Sequence, residues 1–261
     1  VRRYLMDEFP TMPSNYRGTI QQSFKNMVNP FKDQSGVLYK HFSEGVSDQV
    51  CPEKCYKDGA VIIVDFPTAT YDAAGAIIQN VYRMIWQKVL MNRNAKYPDQ
   101  DGYNNRPVFL WMDECSKMVT PSDGDFFSKC RQQRVACVLL NQTLRSYYAK
   151  MQGVNGSKYE TESFLDNLLI HVVHQVDAGT AEWAANLIGK DEVETTSSSF
   201  QAEDGRFSSS TRDQLKYICP PAIFLNLKRG GPKNELKTEA VIILNNPLNN
   251  GRRFAKVIFD Q

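Results

Sequence analysis

The sequence predicts an α/β fold, a mostly parallel sheet with helices on both faces, and three observations carry that expectation. Val108 to Met112 is an apolar run without polar alternation, and it ends in the adjacent carboxylates Asp113 and Glu114. An unbroken apolar run suits a strand covered on both faces, as parallel strands are. Val135-Ala-Cys-Val-Leu-Leu140 is a second such run. Ala60-Val-Ile-Ile-Val-Asp-Phe-Pro67 is a third, and a long helical pattern separates it from Val108. Strand, helix, strand makes a βαβ unit, which requires parallel pairing.

A chain of 261 residues is long enough to bury a substantial core. Its net charge of +2 gives no bulk attraction to nucleic acid, so any such site must be local. The six cysteines are scattered, which fits a reducing compartment. No apolar stretch reaches about 18 residues, so no membrane span is expected here, and no signal peptide is expected either. The first residue is valine rather than methionine, so the chain is expected to be a piece of a longer one.

Residues 1–58 read as an irregular, partly helical N-terminal segment, and 59–261 as the core. Within the first, Ser14 to Val28 is expected to be a helix carrying Ile20, Phe24, Met27 and Val28 on one face, punctuated by Pro10, Pro13 and Pro30. Cys51-Pro-Glu-Lys-Cys55 has the spacing of half a metal site. No second pair of ligands lies near it and the chain has only three histidines, so a structural zinc is not expected.

Tyr71 to Arg93 has the pattern of a long amphipathic helix, with Ile77, Ile78, Val81, Ile85, Val89 and Leu90 on its apolar face and Thr70 or Asp72 as its cap. Residues 94–106 form a polar loop before the Asp-Glu strand. Beyond Gln142 a short helix (143–152) and a Gly-rich polar loop (153–160) are expected. Phe164 to His174 reads as a strand with Leu168, Ile170, Val172 and Val173 as its core. His171 and His174 would then point to opposite faces and could not share a metal. Asp177 to Gly189 is a helix closed by its glycine. Residues 194–212, rich in serine, read as a mobile surface loop. Ala222 to Leu227 and Glu239 to Leu244 are apolar runs flanking the basic turn Lys228-Arg-Gly-Gly-Pro-Lys-Asn234. Lys228, Arg229 and Lys233 there are either a local nucleic-acid contact or the charges of an ordinary solvated hairpin turn.

The chemistry concentrates where the Val108 strand ends, since open α/β sheets bind ligands at their carboxyl edge. In P-loop NTPases an acid at this place holds the Mg²⁺ of a bound triphosphate, and an adjacent acid can activate water as a general base. The plainer alternative is an acidic helix N-terminus, where carboxylates favour the dipole. Arg131-Gln-Gln-Arg134 precedes the second strand, and Asn141-Gln142 ends it. A polar residue at that tip stands where a γ-phosphate sensor would, whereas the arginines lie at the strand's far end or on the preceding helix, from which one of them could reach a neighbouring subunit's nucleotide. A phosphate-cradling G-x-x-x-x-G-K-[ST] loop is missing: Gly189-Lys190 is followed by Asp191. Neither G-x-S-x-G nor H-E-x-x-H occurs.

Pro107-Val-Phe-Leu-Trp-Met-Asp-Glu114, Arg131-Gln-Gln-Arg134, Val138-Leu-Leu-Asn-Gln142, Phe164 to His171 and Asp177 to Gly189 together resemble the motor domain of type IV secretion coupling proteins of the TraG/TraD kind. Gly59 to Pro67 is similar to the strand that follows the family's inserted helical domain. The resemblance spans about residues 16–245. Met112 and Cys115 depart mildly from the usual context without touching the acids. It implies a RecA-like, hexameric ATPase related to the FtsK/HerA translocases, using ATP and Mg²⁺. It would pump single-stranded DNA with attached relaxase through a conjugation channel, working with relaxosome and channel proteins. The family is anchored to the bacterial inner membrane and faces the cytoplasm, and its phosphate loop and anchor lie upstream. By position, Asp113 would serve Mg²⁺ through water, Glu114 would activate water, Gln142 would sense the γ-phosphate, and Arg131 or Arg134 would be the arginine given to the next subunit. This chain alone, without the phosphate loop, is expected to be inactive. The alternatives are a channel-assembly ATPase of the same machinery and a non-catalytic docking module for a relaxosome protein.

Overall fold

The computed structural model describes residues 2–33, 39, 51–120, 122–151, 158–201, 206–245 and 251–261. The chain divides into two compact units, Val1–Asn92 and Arg93–Gln261.

The first unit is helical among its described residues. Helix α1 runs Ser14–Lys32, as its apolar spacing predicts, but Ile20 and Phe24 on its expected inner face are exposed. The short α2, Lys54–Lys57, buries Tyr56. The Cys51 thiol donates to Glu53 Oε2 at 2.8 Å, and that of Cys55, within the helix, to the Pro52 carbonyl at 2.8 Å. The long helix α3, Thr68–Asn92, starts before both expected caps, Thr70 and Asp72, the side chain of the latter lying outside the described residues, and Pro67 O accepts from the amides of Thr70 and Tyr71. Its buried side is Ile78, Trp86 and Leu90, whereas Val81 and Ile85 point outward.

The expected strand Ala60–Pro67 does not form. Val61 and Ile63 are 87% and 83% exposed, and residues 60–67 have no ladder partner among the described residues. An apolar run becomes a strand only where another backbone satisfies its amides and carbonyls. Here Phe66 O accepts instead from Gln79 Nε2 at 2.8 Å, and Gly75 lets this segment lie close against α3, since a Cβ there would come within 2.7 Å of the same carbonyl. The predicted βαβ unit is therefore absent.

In the second unit, β1 (Val108–Met112) and β2 (Val135–Leu139) pair in parallel, Val108 opposite Val135 and Met112 opposite Leu139. Apart from an isolated parallel bridge between Asn94 and Tyr103, this is the one parallel pairing among the described residues; the other ladders are antiparallel, against the mostly parallel sheet expected. Coverage on both faces also fails for β1: Val108 and Met112 are buried, but Phe109 and Trp111 are 60% and 68% exposed. Helix α4 (Asp123–Lys129) and a 3₁₀ turn (Cys130–Gln133) make the crossover. After β2 come α5 (Leu144–Met151) and α6 (Lys158–Asp166), with residues 153–157 of the expected glycine-rich loop outside the described residues.

Phe164, predicted to lie in a strand, sits in α6 and is fully buried. Its ring meets Phe127 of α4 at 5.3 Å and Tyr147 of α5 at 5.4 Å, a preferred separation for aromatic pairs. Packing of three aromatics here outweighs the strand propensity of the run that follows. Only Ile170–Val173 forms the strand β3.

Helix α7, Ala178–Ile188, is closed by Gly189 at φ 105, as its sequence predicts, and is capped by the Asp177 side chain. Its alanines 181, 184 and 185 are completely buried and let it approach the sheet closely, packing with Val173, Phe224, Val241 and Ile243. That sheet is β3–β6–β7, where β6 is Lys237–Leu244 and β7 is Phe254–Asp260, the latter not anticipated from sequence. His171 packs edge-on against Trp183, and His174 Nδ1 lies 3.1 Å from Glu239 O, so the two histidines indeed have separate neighbours. Ala222–Leu227 is not a strand, since Pro221–Leu225 forms the short helix α8 and the basic turn is no hairpin.

Where it is described, the serine-rich segment is not a loop; its residues 202–205 lie outside the described residues. β4 (Lys190–Gln201) and β5 (Arg206–Tyr217) pair antiparallel along their whole length, Lys190 opposite Tyr217 and Gln201 opposite Arg206. Threonine and the period-2 pairing suit a ribbon whose described side chains, 190–196 and 211–217, are unburied on both faces, a state that composition alone does not separate from disorder.

Candidate functional site

Parallel pairing puts the ends of β1 and β2 side by side, and the ladder continues past both strands. Leu140 N donates to Met112 O at 2.9 Å and Cys115 N to Leu140 O at 3.1 Å. This fixes Asp113 and Glu114 beside Asn141 and Gln142. Gln142 Nε2 donates to Glu114 Oε1, so the residue predicted to sense phosphate and the one predicted to act as base are in direct contact. Lys117 Nζ lies 3.5 Å from the other carboxylate oxygen of Glu114. Asp113 Oδ1 accepts from the Glu114 amide at 2.9 Å, and its side chain is exposed to solvent at the edge.

Glu114 adopts the left-handed conformation, φ 49 and ψ 37. For a residue other than glycine this costs roughly 1–2 kcal/mol, and such strain gathers at functional sites. Here it turns the chain sharply off the strand and aims the carboxylate at Gln142.

Behind the acids the turn is braced. The Cys115 thiol and the Tyr147 hydroxyl are 2.6 Å apart, both buried. Burial pushes both groups up from their ordinary pKa, so the pair is neutral. Tyr147 lies on α5, the helix that follows Gln142, and this contact ties the acid turn to the glutamine's own helix.

A second brace lies beyond Gln142. Asp177 caps α7 through Oδ1, which accepts from the amides of Gly179 at 3.0 Å and Thr180 at 3.3 Å. Its Oδ2 accepts the hydroxyls of Thr180 at 2.7 Å and Thr143 at 2.9 Å. Thr180 Oγ1 also accepts from Leu144 N at 3.3 Å. The donation from Thr180, then that from Thr143 and the two amides, holds the Asp177 carboxyl below the usual carboxylate range. Arg145 Nε is 4.0 Å from Oδ1, on a side chain 80% exposed. Sequence reading named Asp177 only as a helix start. The signal within reach was the Asp-x-x-Thr spacing, which lets one carboxylate meet the amide and hydroxyl of the same residue.

Arg131 and Arg134 are not at this edge. Val108 N donates to Arg134 O at 3.0 Å, which puts Arg134 at the amino end of the ladder. At about 3.3 Å per residue a five-residue strand separates the two ends by roughly 16 Å. Arg134 is itself left-handed, φ 51, as the cap of the 3₁₀ turn, and both arginine side chains are exposed. Lys228, Arg229 and Lys233 are exposed in the turn before β6, apart from the acids. That turn is held by Lys228 N donating to Glu239 Oε2 at 2.9 Å and Gly231 N donating to Gln261 Oε1 at 2.7 Å. No group of three or more His, Cys, Asp or Glu able to hold a metal, and no helix long and apolar enough to cross a membrane, occurs among the described residues.

An Asp-Glu edge facing a glutamine on a parallel pair, with antiparallel ladders beside it, defines a mixed α/β protein of the kind whose chemistry sits at the strand ends. Residues 107–229, just under half of the chain, match the family described as "TraM recognition site of TraD and TraG", which supports a TraG/TraD-type coupling-protein C-terminal region. Among solved structures the chain is similar to the bacterial conjugative coupling protein TrwBdeltaN70, in its trigonal form in complex with sulphate, at 17% sequence identity and a TM-score of 0.61. The likeness shows a shared fold. It covers 97% of this chain and 51% of that one, so the chain spans about half the length of that protein. No curated protein sequence matches the chain.

Proposed function

We propose that the chain is the carboxyl-edge half of an ATPase motor in a conjugative type IV secretion coupling protein. The observation that carries this is the contact of Gln142 with Glu114 at the end of the β1–β2 ladder. The donor set suits Mg²⁺ and a triphosphate in part: an exposed hard carboxylate stands beside a carboxylate–amide pair, while the phosphate cradle must come from other residues. Bound Mg²⁺ would offset the charge of the triphosphate oxygens. Asp113 would hold it through water. Glu114 accepts a proton from the attacking water on its carboxylate, and Gln142 orients that carboxylate while its amide reads the γ-phosphate position. Arg131 or Arg134, exposed at the other end of the ladder, serves the adjoining subunit of a homo-hexamer.

The parent protein then pumps single-stranded DNA with its attached relaxase into a secretion channel, from the cytoplasmic side of the bacterial inner membrane. A second role is favoured by the match of residues 107–229 to a TraM recognition region: the same chain offers a docking surface to a relaxosome protein. Lys228, Arg229 and Lys233 are the candidate nucleic-acid contacts.

The deciding experiment is Glu114→Gln in the parent protein. It keeps the shape and removes the base, so hydrolysis is expected to fall about 10²- to 10⁴-fold with ATP binding intact. Wild-type turnover by this variant would exclude Glu114 as the base.

A further inference from the structure

Gln142 can report on a phosphate only if its own position is fixed, and its contact with Glu114 does not fix it, since both side chains are partly open to solvent. The residue directly after it is fixed. Thr143 Oγ1 donates to Asp177 Oδ2 at 2.9 Å, and the neighbouring Leu144 amide donates to Thr180 Oγ1 at 3.3 Å. Asp177 cannot readily release Thr143, because its carboxylate already anchors the start of α7 through the Gly179 and Thr180 amides and the Thr180 hydroxyl. Helix α7 in turn is immobilised by its fully buried alanines against the β3–β6–β7 sheet. The rigid body ends one residue short of the glutamine.

From this geometry we infer that Thr143 and Asp177 are positioning residues, which hold Gln142 over the Glu114 carboxylate by stapling the end of β2 to the N-terminus of α7. The inference rests on reading Gln142 as the sensor. The staple is a hydrogen bond to a charged acceptor, one of the stronger kinds, and its loss leaves the Leu144 amide on Thr180 Oγ1 as the remaining direct tie of this turn to the start of α7. Binding of nucleotide does not pass through it. Only the placement of the glutamine and base during hydrolysis does.

The test uses the full-length parent protein. Thr143→Val replaces the hydroxyl by a methyl of the same shape. It is expected to lower kcat for ATP hydrolysis about 10- to 100-fold, leaving KM for ATP within about twofold. Thr143→Ser, which keeps the donor, should restore most of the rate. The double variant Gln142→Ala/Thr143→Val should be no slower than Gln142→Ala, because the staple acts through the glutamine. Equal losses in the valine and serine variants, an additive loss in the double variant, or a wild-type rate in Thr143→Val beside a slow Gln142→Ala would overturn the inference while sparing the sensor. A wild-type rate in Gln142→Ala itself would remove the sensor reading and the inference with it.

Discussion

At its carboxyl end the β1–β2 ladder presents Asp113 and Glu114, and at its amino end Arg131 and Arg134. Both ends use a charged residue in the left-handed conformation to leave the sheet, Glu114 at φ 49 and Arg134 at φ 51. They differ in what holds the charge. Glu114 is gripped by Gln142 and approached by Lys117, with Cys115 and Tyr147 bracing the turn from behind. At Arg134 it is the backbone that is engaged, through Val108 N, while the guanidinium stands in solvent. One end is built to keep a carboxylate in place and the other to offer a cation outward. Two such ends on one rigid ladder suit a head-to-tail ring, where each interface joins an acid end to an arginine end.

The largest effect should come from breaking the outward-facing end. One of Arg131→Ala and Arg134→Ala, in the parent protein, is expected to lose about 10³- to 10⁵-fold in hydrolysis while still binding ATP. Mixing that variant with Glu114→Gln subunits should restore part of the activity, because each supplies the end the other lacks. Near-normal rates in both arginine variants, with no rescue, would leave these arginines as surface charges worth under about 1 kcal/mol each.

A smaller effect compares the two strained turns directly. Glycine adopts the left-handed region without a Cβ penalty, so Glu114→Gly and Arg134→Gly should each be more stable than the matching alanine variant by about 1 kcal/mol. Denaturant midpoints on this chain would measure it. An equal stability of the glycine and alanine variants at either position would show that the turn there is not strained.

The smallest effect belongs to groups at neither end and serves as a control. Burial lowers the His171 pKa. As pH falls below about 6.5 the unfolded chain protonates first, so stability is full above that value and declines beneath it. Asp177, whose pKa is also lowered, contributes stability above its unfolded value of about 3.9 and loses it as pH falls through its lower folded value. Thermal melts between pH 7.5 and 5 should show a slope that His171→Phe removes. If that slope persists in the variant, another group titrates there.

Which parts of this were legible in the sequence follows from how local their physics is. The Asp-Glu edge, the arginines at the opposite end, and α7 with its Asp177 and Gly189 boundaries depend on residues a few positions apart, and the sequence displays them. Failure came where a distant partner decides. Ala60–Pro67 has the composition of a strand but no ladder to join, and Phe164 is drawn into a helix by Phe127 and Tyr147, residues far along the chain. The serine-rich segment has few apolar residues to signal order, yet its two arms match in length and pair throughout. The Thr143–Asp177 staple spans an intervening pair of helices and a strand, and no spacing rule reaches that far.

The β4–β5 ribbon leaves and rejoins the molecule at one doorway, where Lys190 faces Tyr217 and Ile218 N donates to Gly189 O at 3.2 Å. Beyond that doorway no described side chain from Asp191 to Thr196 or from Thr211 to Lys216 is buried, and Glu194 stands opposite Asp213, a like-charge pairing that weakens the ladder. Selection for a stable core therefore has almost no hold on the ribbon. Related chains are free to lengthen, shorten or exchange it wholesale at Gly189 and Ile218 while α7 and the Asp113–Glu114 edge stay as they are. Within this architecture it is the graftable part, where divergence between systems is expected to accumulate fastest.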